Sequence, residues 1–244
     1  MIQSVDRAIR VLTALQGARR LSLSELAARL DLAPSTTHGI VRTLVEHGMV
    51  VQERGSSRYQ LGPAVLRLGN VYLDTLELRS KTIPWAEDLA RRTGFAVRTG
   101  VLLVDDVVII HHEPRPDGSR QMPEVGIVIP AHASALGKAM LAFLPDEADR
   151  LLSNGVLRSM TGETLTTAEA LRVQLAQVRS TGVATERDEA VIGESSAASP
   201  VFDSWGSPVG AIGVVITSGA PSHDTGRTVR ETARALSREL GAPS

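Results

Sequence analysis

The chain has 244 residues, 43% of them hydrophobic and 22% charged, and a formal net charge of -1 at pH 7. This length predicts two domains, and the composition is that of a globular chain rather than a disordered or fibrous one. Because the chain contains no cysteine, disulfides, thiolate metal sites and cysteine nucleophiles are excluded. Its apolar runs are shorter than the roughly 18 residues of a membrane span. Its N-terminal segment lacks the pattern of a signal peptide, so we expect a cytoplasmic protein.

Positive charge is concentrated near the N terminus. Residues 1–60 contain eight arginines and five acidic residues, a net charge of +3, whereas the rest of the chain has 18 basic and 22 acidic residues. A basic segment joined to an acidic remainder is typical of a protein whose N-terminal part meets a polyanion. Nucleic acid is therefore the first partner to consider for this segment.

Residues 5–47 have the pattern of three helices. Apolar residues spaced by three and four predict that the first helix buries one face, formed by Val5, Ile9, Leu12 and Leu15. Residues 22–25 (Ser-Leu-Ser-Glu) have the capping-box sequence and begin a second helix that ends near Asp31. Pro34 occupies a first-turn position and begins a third helix, which ends near Gly48. Two helices joined by so short a turn predict a helix-turn-helix.

A hairpin follows the third helix. Residues 49–52 and 58–61 are predicted strands joined by a turn at 53–57, which is the position of the wing in a winged helix-turn-helix. Polar positions off the apolar face of the third helix, with two arginines of the hairpin, are the predicted DNA contacts: Ser35, Thr36, His38, Gly39, Arg42, Arg54 and Arg58. Arg42 is the strongest single candidate, because a guanidinium can bond a guanine edge or a phosphate. Taken one at a time, these residues could equally form a solvated helix face.

The remaining residues predict a linking helix and a larger α+β domain. Apolar residues recur at helical spacing over 63–80, which indicates a helix that either links two domains or belongs to the core of the larger one. After it we predict strands at 96–104, 106–113, 121–129, 197–203 and 209–217, helices at 82–93, 134–144, 146–153, 168–182 and 224–240, and a second capping box at 166–169. Helices packed across one antiparallel sheet define the α+β class. The predicted domains are therefore residues 1–62, 63–80 and 81–244.

Four short stretches carry a family resemblance. They are Ser4-Val5-Asp6-Arg7-Ala8, Leu23-Ser24-Glu25-Leu26-Ala27, Ser35-Thr36-Thr37-His38 and Arg58-Tyr59-Gln60-Leu61-Gly62. Together they resemble the IclR family of bacterial transcription regulators, and the likeness extends over nearly the whole chain. It implies a winged helix-turn-helix DNA-binding domain at 1–62, a linker helix at 63–80 that supports dimerisation, and a GAF-like effector-binding domain at 81–244.

The same resemblance implies partners. They are double-stranded operator DNA, a small-molecule effector, and further copies of the chain in a homodimer that pairs into a dimer of dimers. Gly39 departs from the arginine that many members have on the groove-facing surface. The operator sequence is therefore not carried over from the family.

An effector site is expected in the third segment. The start of the helix at 134 offers free backbone donors and the positive end of a helix dipole, which suit an anionic or polyol oxygen. By likeness to the family, the effector contacts are Ser134, Ala135, Leu136, Gly137, Glu186, Ser196, Gly213 and Val215. Acid-sensing members often carry serines at the last two positions, and their loss here disfavours a glyoxylate- or pyruvate-type ligand. For each residue, plain core packing is the competing interpretation.

Further segments resemble a subgroup of the family. Residues 69–74, 77–79, 111–113, 115–121 and 124–126 are similar to those of actinobacterial glycerol-operon regulators. This similarity implies glycerol or glycerol 3-phosphate as the effector and repression of a catabolic operon. The alternative is a regulator of the same family that senses an aromatic acid or a hydrazide, as a repressor or an activator.

A hydrolase-like enzyme is the more distant alternative. Gly193-Glu194-Ser195-Ser196 lacks the second glycine of a nucleophile elbow, and Gly137-Lys138 lacks the rest of a phosphate-binding loop. We therefore predict no catalytic residue and no cofactor. His111, His112 and His132 fit no zinc-ligand spacing, which leaves open whether they hold a metal.

Overall fold

In the computed structural model, which describes residues 2–153, 157–217 and 219–243, the chain folds into two units, Met1–Thr75 and Leu76–Ser244. Met1 and Ser244, the outer ends of the predicted domains, lie outside the described residues, as do 154–156 and 218. Within the described part, no helix has the length and apolar character that crossing a membrane requires.

The first unit consists of helices and a small sheet. Its elements are α1 (Gln3–Ala18), β1 (Leu21–Ser22), α2 (Leu23–Leu30), α3 (Pro34–Glu46), β2 (Val50–Gln52), β3 (Arg58–Leu61) and α4 (Pro63–Thr75). Helices α1, α2 and α3 pack around a core that includes Val11, Leu15, Leu26 and Val41. Strand β3 pairs with β1 on one side and β2 on the other, both antiparallel. The predicted order of three helices and a hairpin is confirmed.

The start of α2 shows why the helix begins where it does. The Ser22 hydroxyl accepts a hydrogen bond from the Glu25 backbone N–H at 3.3 Å, and the Glu25 carboxylate accepts one from the Ser22 N–H at 2.7 Å. These reciprocal bonds satisfy two backbone donors that the first helical turn leaves free, so the predicted capping box is confirmed. Pro34 is the first residue of α3, as its fixed φ predicts.

The predicted buried face of α1 is wrong in its first half. Val5 is 53% exposed and Ile9 is 57% exposed, whereas Val11 and Leu15 are buried in the core. Helical spacing identifies side chains that share a face, but it does not show whether the same unit covers that face. The first unit therefore leaves an apolar surface on α1, which includes Ile2 as well.

The second unit contains one sheet and most of the helices. Its elements are α5 (Glu77–Thr93), β4 (Ala96–Leu103), β5 (Asp106–Glu113), β6 (Val128–Pro130), a 3-10 turn (Ala131–Ala133), α6 (Ala135–Leu141), α7 (Pro145–Ser153), α8 (Ala168–Thr181), β7 (Ala184–Arg187), β8 (Ser195–Phe202), β9 (Pro208–Ile216) and α9 (His223–Glu239). The six strands are antiparallel in the order β6-β5-β4-β9-β8-β7. The predicted α+β class with an antiparallel sheet is confirmed.

The sheet register brings distant residues together on one face. Glu186 on β7 lies opposite Ser196 on β8, and Ser196 lies opposite Val215 on β9. In a neighbouring row, Gly213 on β9 lies opposite Arg98 on β4. Helix α6 packs against β7, β8 and β9, while α5 and α9 pack against each other and the sheet. The register thus places residues of β4, β7, β8 and β9 on one face, beside the start of α6, where they can form one site.

The predicted helix over 63–80 is divided in the structure. Helix α4 ends at Thr75, Leu76 has extended backbone angles, and α5 runs from Glu77 through Pro84 to Thr93. Apolar residues continue at helical spacing across Leu76, so periodicity could not reveal the break. The helix predicted at 82–93 begins at Glu77 in the structure, and Pro84 lies inside it.

Three local predictions in the second unit also need correction. The strand predicted at 121–129 is reduced to Val128–Pro130, because Pro123 lacks an N–H and Gly126 has a left-handed φ of 87°. Strand β7 was missed, since it has only four residues and three of them are polar. The N-cap of α8 is Thr167, whose hydroxyl accepts from the Ala170 N–H, so the glutamate of the predicted capping box is one position out of register.

A buried ion pair connects α6 to the segment after β7. The Lys138 ammonium is fully buried and lies 2.7 Å from the Glu189 carboxylate and 2.7 Å from the Gln174 side-chain oxygen. Burial lowers the Lys138 pKa, and Glu189 opposes that change. Each charge is stabilised by the other, because neither group is in contact with bulk water.

We predict that Lys138→Met destabilises the protein by about 3–5 kcal/mol, because it leaves the Glu189 carboxylate buried without its cation. Urea unfolding followed by circular dichroism measures the change. The double variant Lys138→Met/Glu189→Gln is the control, and we expect it to recover most of the loss. Equal stability of the single variant and the unmodified protein would show that the pair is not required.

Candidate nucleic-acid interface and effector cavity

Helix α3 presents a polar surface to solvent. Ser35, His38, Gly39 and Arg42 are exposed and Thr36 is partly exposed, whereas Val41 and Leu44 point into the core. Ala33 precedes the helix and provides no side-chain cap. The first turn therefore offers backbone N–H groups at the positive end of the helix dipole, an arrangement that suits a phosphate.

Arg42 lies on the exposed face of α3. Its side chain is 73% exposed, and its Nε donates to the Glu46 carboxylate at 3.0 Å. Exposed ion pairs one helical turn apart contribute little to stability. A guanine edge or a phosphate can therefore replace Glu46 as the partner of Arg42 at little cost.

The two hairpin arginines differ in their surroundings. Arg54 is exposed in the turn between β2 and β3. Arg58 donates from Nη1 and Nη2 to the two carboxylate oxygens of Glu25, at 3.0 and 3.3 Å. The bonds from Ser22, followed by Arg58, lower the pKa of Glu25. Arg58 thus connects β3 to the capping box of α2, and its contact with DNA stays a prediction.

The second unit has a partly open cavity of about 300 Å³ beside the sheet. Seven of the eight predicted effector contacts line it: Ser134, Ala135, Leu136, Glu186, Ser196, Gly213 and Val215. Apolar side chains complete much of the wall, including Ile129 of β6, Met160 between α7 and α8, and Val191 after β7. The structure therefore brings together residues that are up to 81 positions apart in the chain.

Gly137 is the predicted contact that the structure does not bring to the cavity. A Cβ atom at this position would lie 2.2 Å from the Ala131 carbonyl oxygen. Glycine is therefore required for α6 to pack against the 3-10 turn before it. Gly213 does line the cavity, and its own backbone is so close to β8 that a Cβ atom would lie 2.6 Å from the Ala197 oxygen.

Glu186 is the most enclosed acid of the cavity wall. It is 7% exposed, and its carboxylate accepts a hydrogen bond from the Ser196 hydroxyl at 2.8 Å and another from the Glu189 N–H at 3.1 Å. Burial raises the pKa of Glu186 to about 7, although these two bonds oppose the increase. The Glu186 carboxyl can therefore accept or donate a hydrogen bond near neutral pH.

Three charged residues of the wall were missed by sequence reasoning. Arg98 on β4 donates from Nη2 to Glu124 at 2.9 Å and from Nη1 to Glu194 at 3.1 Å, and its Nε bonds the second Glu124 oxygen. The Arg98 side chain is only 14% exposed. An arginine within a strand of mainly buried residues was the available signal. Its partners lie 26 and 96 residues away, so no local pattern connects them.

The histidines show no metal site. Among the residues that the structure describes, no group of three or more histidine, aspartate or glutamate side chains is placed to bind a metal ion. The His132 ring nitrogen Nε2 lies 3.0 Å from the Arg158 carbonyl oxygen, and His112 lies 4.0 Å from Glu124. Burial lowers the pKa of His111, His112 and His132, which favours their neutral form.

A winged helix-turn-helix and a ligand-sized cavity in one chain define the class of ligand-responsive DNA-binding transcription regulators. The chain belongs to the IclR family of this class. Residues 4–54 match the family model described as the IclR helix-turn-helix domain, and residues 70–241 match the one described as the bacterial transcriptional regulator IclR C-terminal domain. The protein is accordingly a transcription regulator and not an enzyme.

Similar proteins agree with this assignment. The chain is 44% identical to the glycerol operon regulatory protein of Streptomyces griseus and 41% identical to that of Streptomyces coelicolor, in both cases over 99% of this chain and 97% of the relative. A solved IclR regulator from Alicyclobacillus acidocaldarius superposes with a TM-score of 0.83 at 27% identity, covering 99% of this chain and all of that one. The sequence resemblance to the family is confirmed.

We predict that Arg42→Ala weakens binding to a fragment of the protein's own promoter by about 1–3 kcal/mol, because it removes a base or phosphate contact. Fluorescence anisotropy at fixed salt measures the affinity. Arg172→Ala, which removes an exposed arginine of α8 in the second unit, is the matched control. An equal effect of the two substitutions would contradict the proposed role of Arg42.

We predict that Glu186 makes the stability of the protein depend on pH. Its pKa is about 7 in the fold against an ordinary value of 4.5, so the unfolded chain ionises first and stability falls as the pH rises between these values. Relative to Glu186→Gln, the unmodified protein should lose roughly 1–3 kcal/mol of unfolding free energy between acidic and mildly alkaline pH. Urea unfolding across this range measures the difference. Parallel curves for the two proteins would show that Glu186 has no raised pKa.

Proposed function

We propose that the protein is a homodimeric repressor of a catabolic operon and that glycerol or glycerol 3-phosphate, bound in the cavity beside Glu186, is its effector. The two Streptomyces relatives are named glycerol operon regulatory proteins, which supports regulation of a catabolic operon. The observation that carries the effector site is the meeting of seven expected contacts at one cavity. As a DNA-binding regulator, the protein would act in the cytoplasm.

The proposed DNA contacts are those of the exposed α3 surface and of the hairpin. Ser35, Thr36, His38, Gly39 and Arg42 would enter the major groove, while Arg54 and Arg58 would meet phosphate or the minor groove. The uncapped first turn of α3 and the exposure of Arg42 support this orientation. Arg58 would first have to share its guanidinium with Glu25.

Two apolar surfaces support a homodimer. Helix α4 contains no buried residue, and Leu66, Val71 and Tyr72 are at least half exposed. An isolated helix of its length is marginal in water, so the helix needs a partner surface. A second copy of the chain would cover α4 and the exposed face of α1, and pairs of dimers would complete the assembly that family members form.

Each proposed domain has a separate role in regulation. Residues 1–62 would bind DNA, 63–80 would link and dimerise, and 81–244 would bind the effector. Effector binding would favour one arrangement of the linkers and so change the spacing of two DNA-binding units relative to their half-sites. A tenfold change in operator affinity requires that the effector discriminates between the two arrangements by about 1.4 kcal/mol.

A gel-shift titration of the protein's own promoter fragment tests the proposal. We expect salt-sensitive retention, because phosphate contacts release counterions, and release of the DNA by glycerol or glycerol 3-phosphate. Absence of salt-sensitive retention would overturn the DNA-binding role. Release by an aromatic acid or a hydrazide alone would overturn the polyol assignment and retain the regulator.

We predict that Val71→Asp on α4 converts the dimer into monomers, because a charge replaces an apolar contact. Light scattering coupled to gel filtration measures the mass, and operator affinity should fall with it. Asn70→Asp adds the same charge at a neighbouring polar position and is the control. A dimeric Val71→Asp protein would show that α4 does not form the interface.

A further inference from the structure

We infer that the cavity selects a hydroxyl-bearing ligand without negative charge, such as a polyol, and excludes its phosphorylated or carboxylated counterparts. This inference rests on the proposed function only in taking the cavity as the effector site. It chooses between glycerol and glycerol 3-phosphate, which the family resemblance leaves open.

Carboxylates outnumber cations in the cavity wall. Of the described residues that line the cavity, Glu124, Glu186 and Glu194 carry carboxyl groups, and Arg98 alone carries a cationic group. The nearby Lys138 is paired with Glu189 and does not line the cavity. The wall therefore has a net negative charge even when Glu186 is protonated.

The one guanidinium of the wall is already occupied. All three nitrogens of Arg98 donate to carboxylates, two to Glu124 and one to Glu194. Arg98 has two further N–H donors, but a phosphate that bound them would lie beside Glu124 and Glu194. In such a partly buried site, like charges repel more strongly than in water.

The free hydrogen-bonding capacity of the side chains in the wall consists mainly of acceptors. Each carboxylate oxygen can accept about two hydrogen bonds, and the Glu186 oxygens have one each, from Ser196 and from the Glu189 backbone. Hydroxyl groups supply the donors that these oxygens lack. A phosphate dianion or a carboxylate supplies more acceptors and no donor to match them.

Size does not decide between the two kinds of ligand. The volume of about 300 Å³ corresponds to about ten molecules of liquid water. Glycerol, glycerol 3-phosphate and a hexose all have space in such a volume. Charge and donor count therefore remain as the properties that discriminate.

Calorimetric titration of the full chain with matched pairs tests this inference. The pairs are glycerol with glycerol 3-phosphate and glucose with glucose 6-phosphate, at equal pH and ionic strength, with 2-amino-1,3-propanediol as a cationic member of the panel. We expect the uncharged member of the glycerol pair to bind at least about tenfold more tightly than its phosphate ester. Tighter binding of either phosphate ester, or no binding of any uncharged or cationic compound up to high millimolar concentration, overturns the inference.

Two variants connect the result to the cavity. Glu186→Gln should weaken binding of the uncharged ligand, and Glu124→Gln should strengthen binding of glycerol 3-phosphate because it frees part of Arg98. Glu163→Gln changes an exposed glutamate outside the cavity and is the control. If all three variants behave alike, the charged wall does not select the ligand.

Promoter binding by the same preparations separates this inference from the proposed function. Salt-sensitive DNA binding with a preference for the phosphate ester would retain the regulator and reject the inference. A preference for the uncharged ligand without any DNA binding would support the inference and reject the regulator.

Discussion

The hydrogen bonds from Arg98 to Glu124 and Glu194 are the interaction on which the cavity of the second unit depends. Arg98 lies in the middle of the six-stranded sheet, where a guanidinium without partners would be costly. Its two partners come from the irregular segments before β6 and after β7. One side chain therefore fixes both segments beside the cavity, and each of its three guanidinium nitrogens donates to a carboxylate.

A second buried cation is compensated in the same way. Lys138 is paired with Glu189 and Gln174 and does not line the cavity. Glu186 is then left as an enclosed carboxyl group without a cation of its own, and burial raises its pKa. The cationic groups near the cavity stabilise the fold, while the groups left for a ligand are carboxyls and hydroxyls.

Sequence reasoning succeeded where the signal was local or repeated in a family. The capping box at Ser22 follows from four adjacent residues, and the helix-turn-helix follows from apolar spacing and Pro34. The position of Glu186 and Ser196 at one site came from a resemblance, and the pairing of β7 with β8 supplies its physical basis.

The structural features that sequence reasoning missed depend on long-range contacts. Arg98 and Glu194 are 96 residues apart, and only the order of the strands makes them neighbours. The apolar periodicity of α1 was read as a buried face, but Val5 and Ile9 are not covered by their own unit. Likewise, Leu76 interrupts two helices whose apolar residues continue in phase, so backbone geometry alone reveals the break.

The most direct test of the central claim is a crystal structure of the full chain with the tightest-binding compound of the matched pairs. The account predicts that Arg98 keeps both carboxylate partners and that a ligand hydroxyl donates to Glu186. A guanidinium turned onto an anionic group of the ligand, with Glu124 detached from it, would contradict the account.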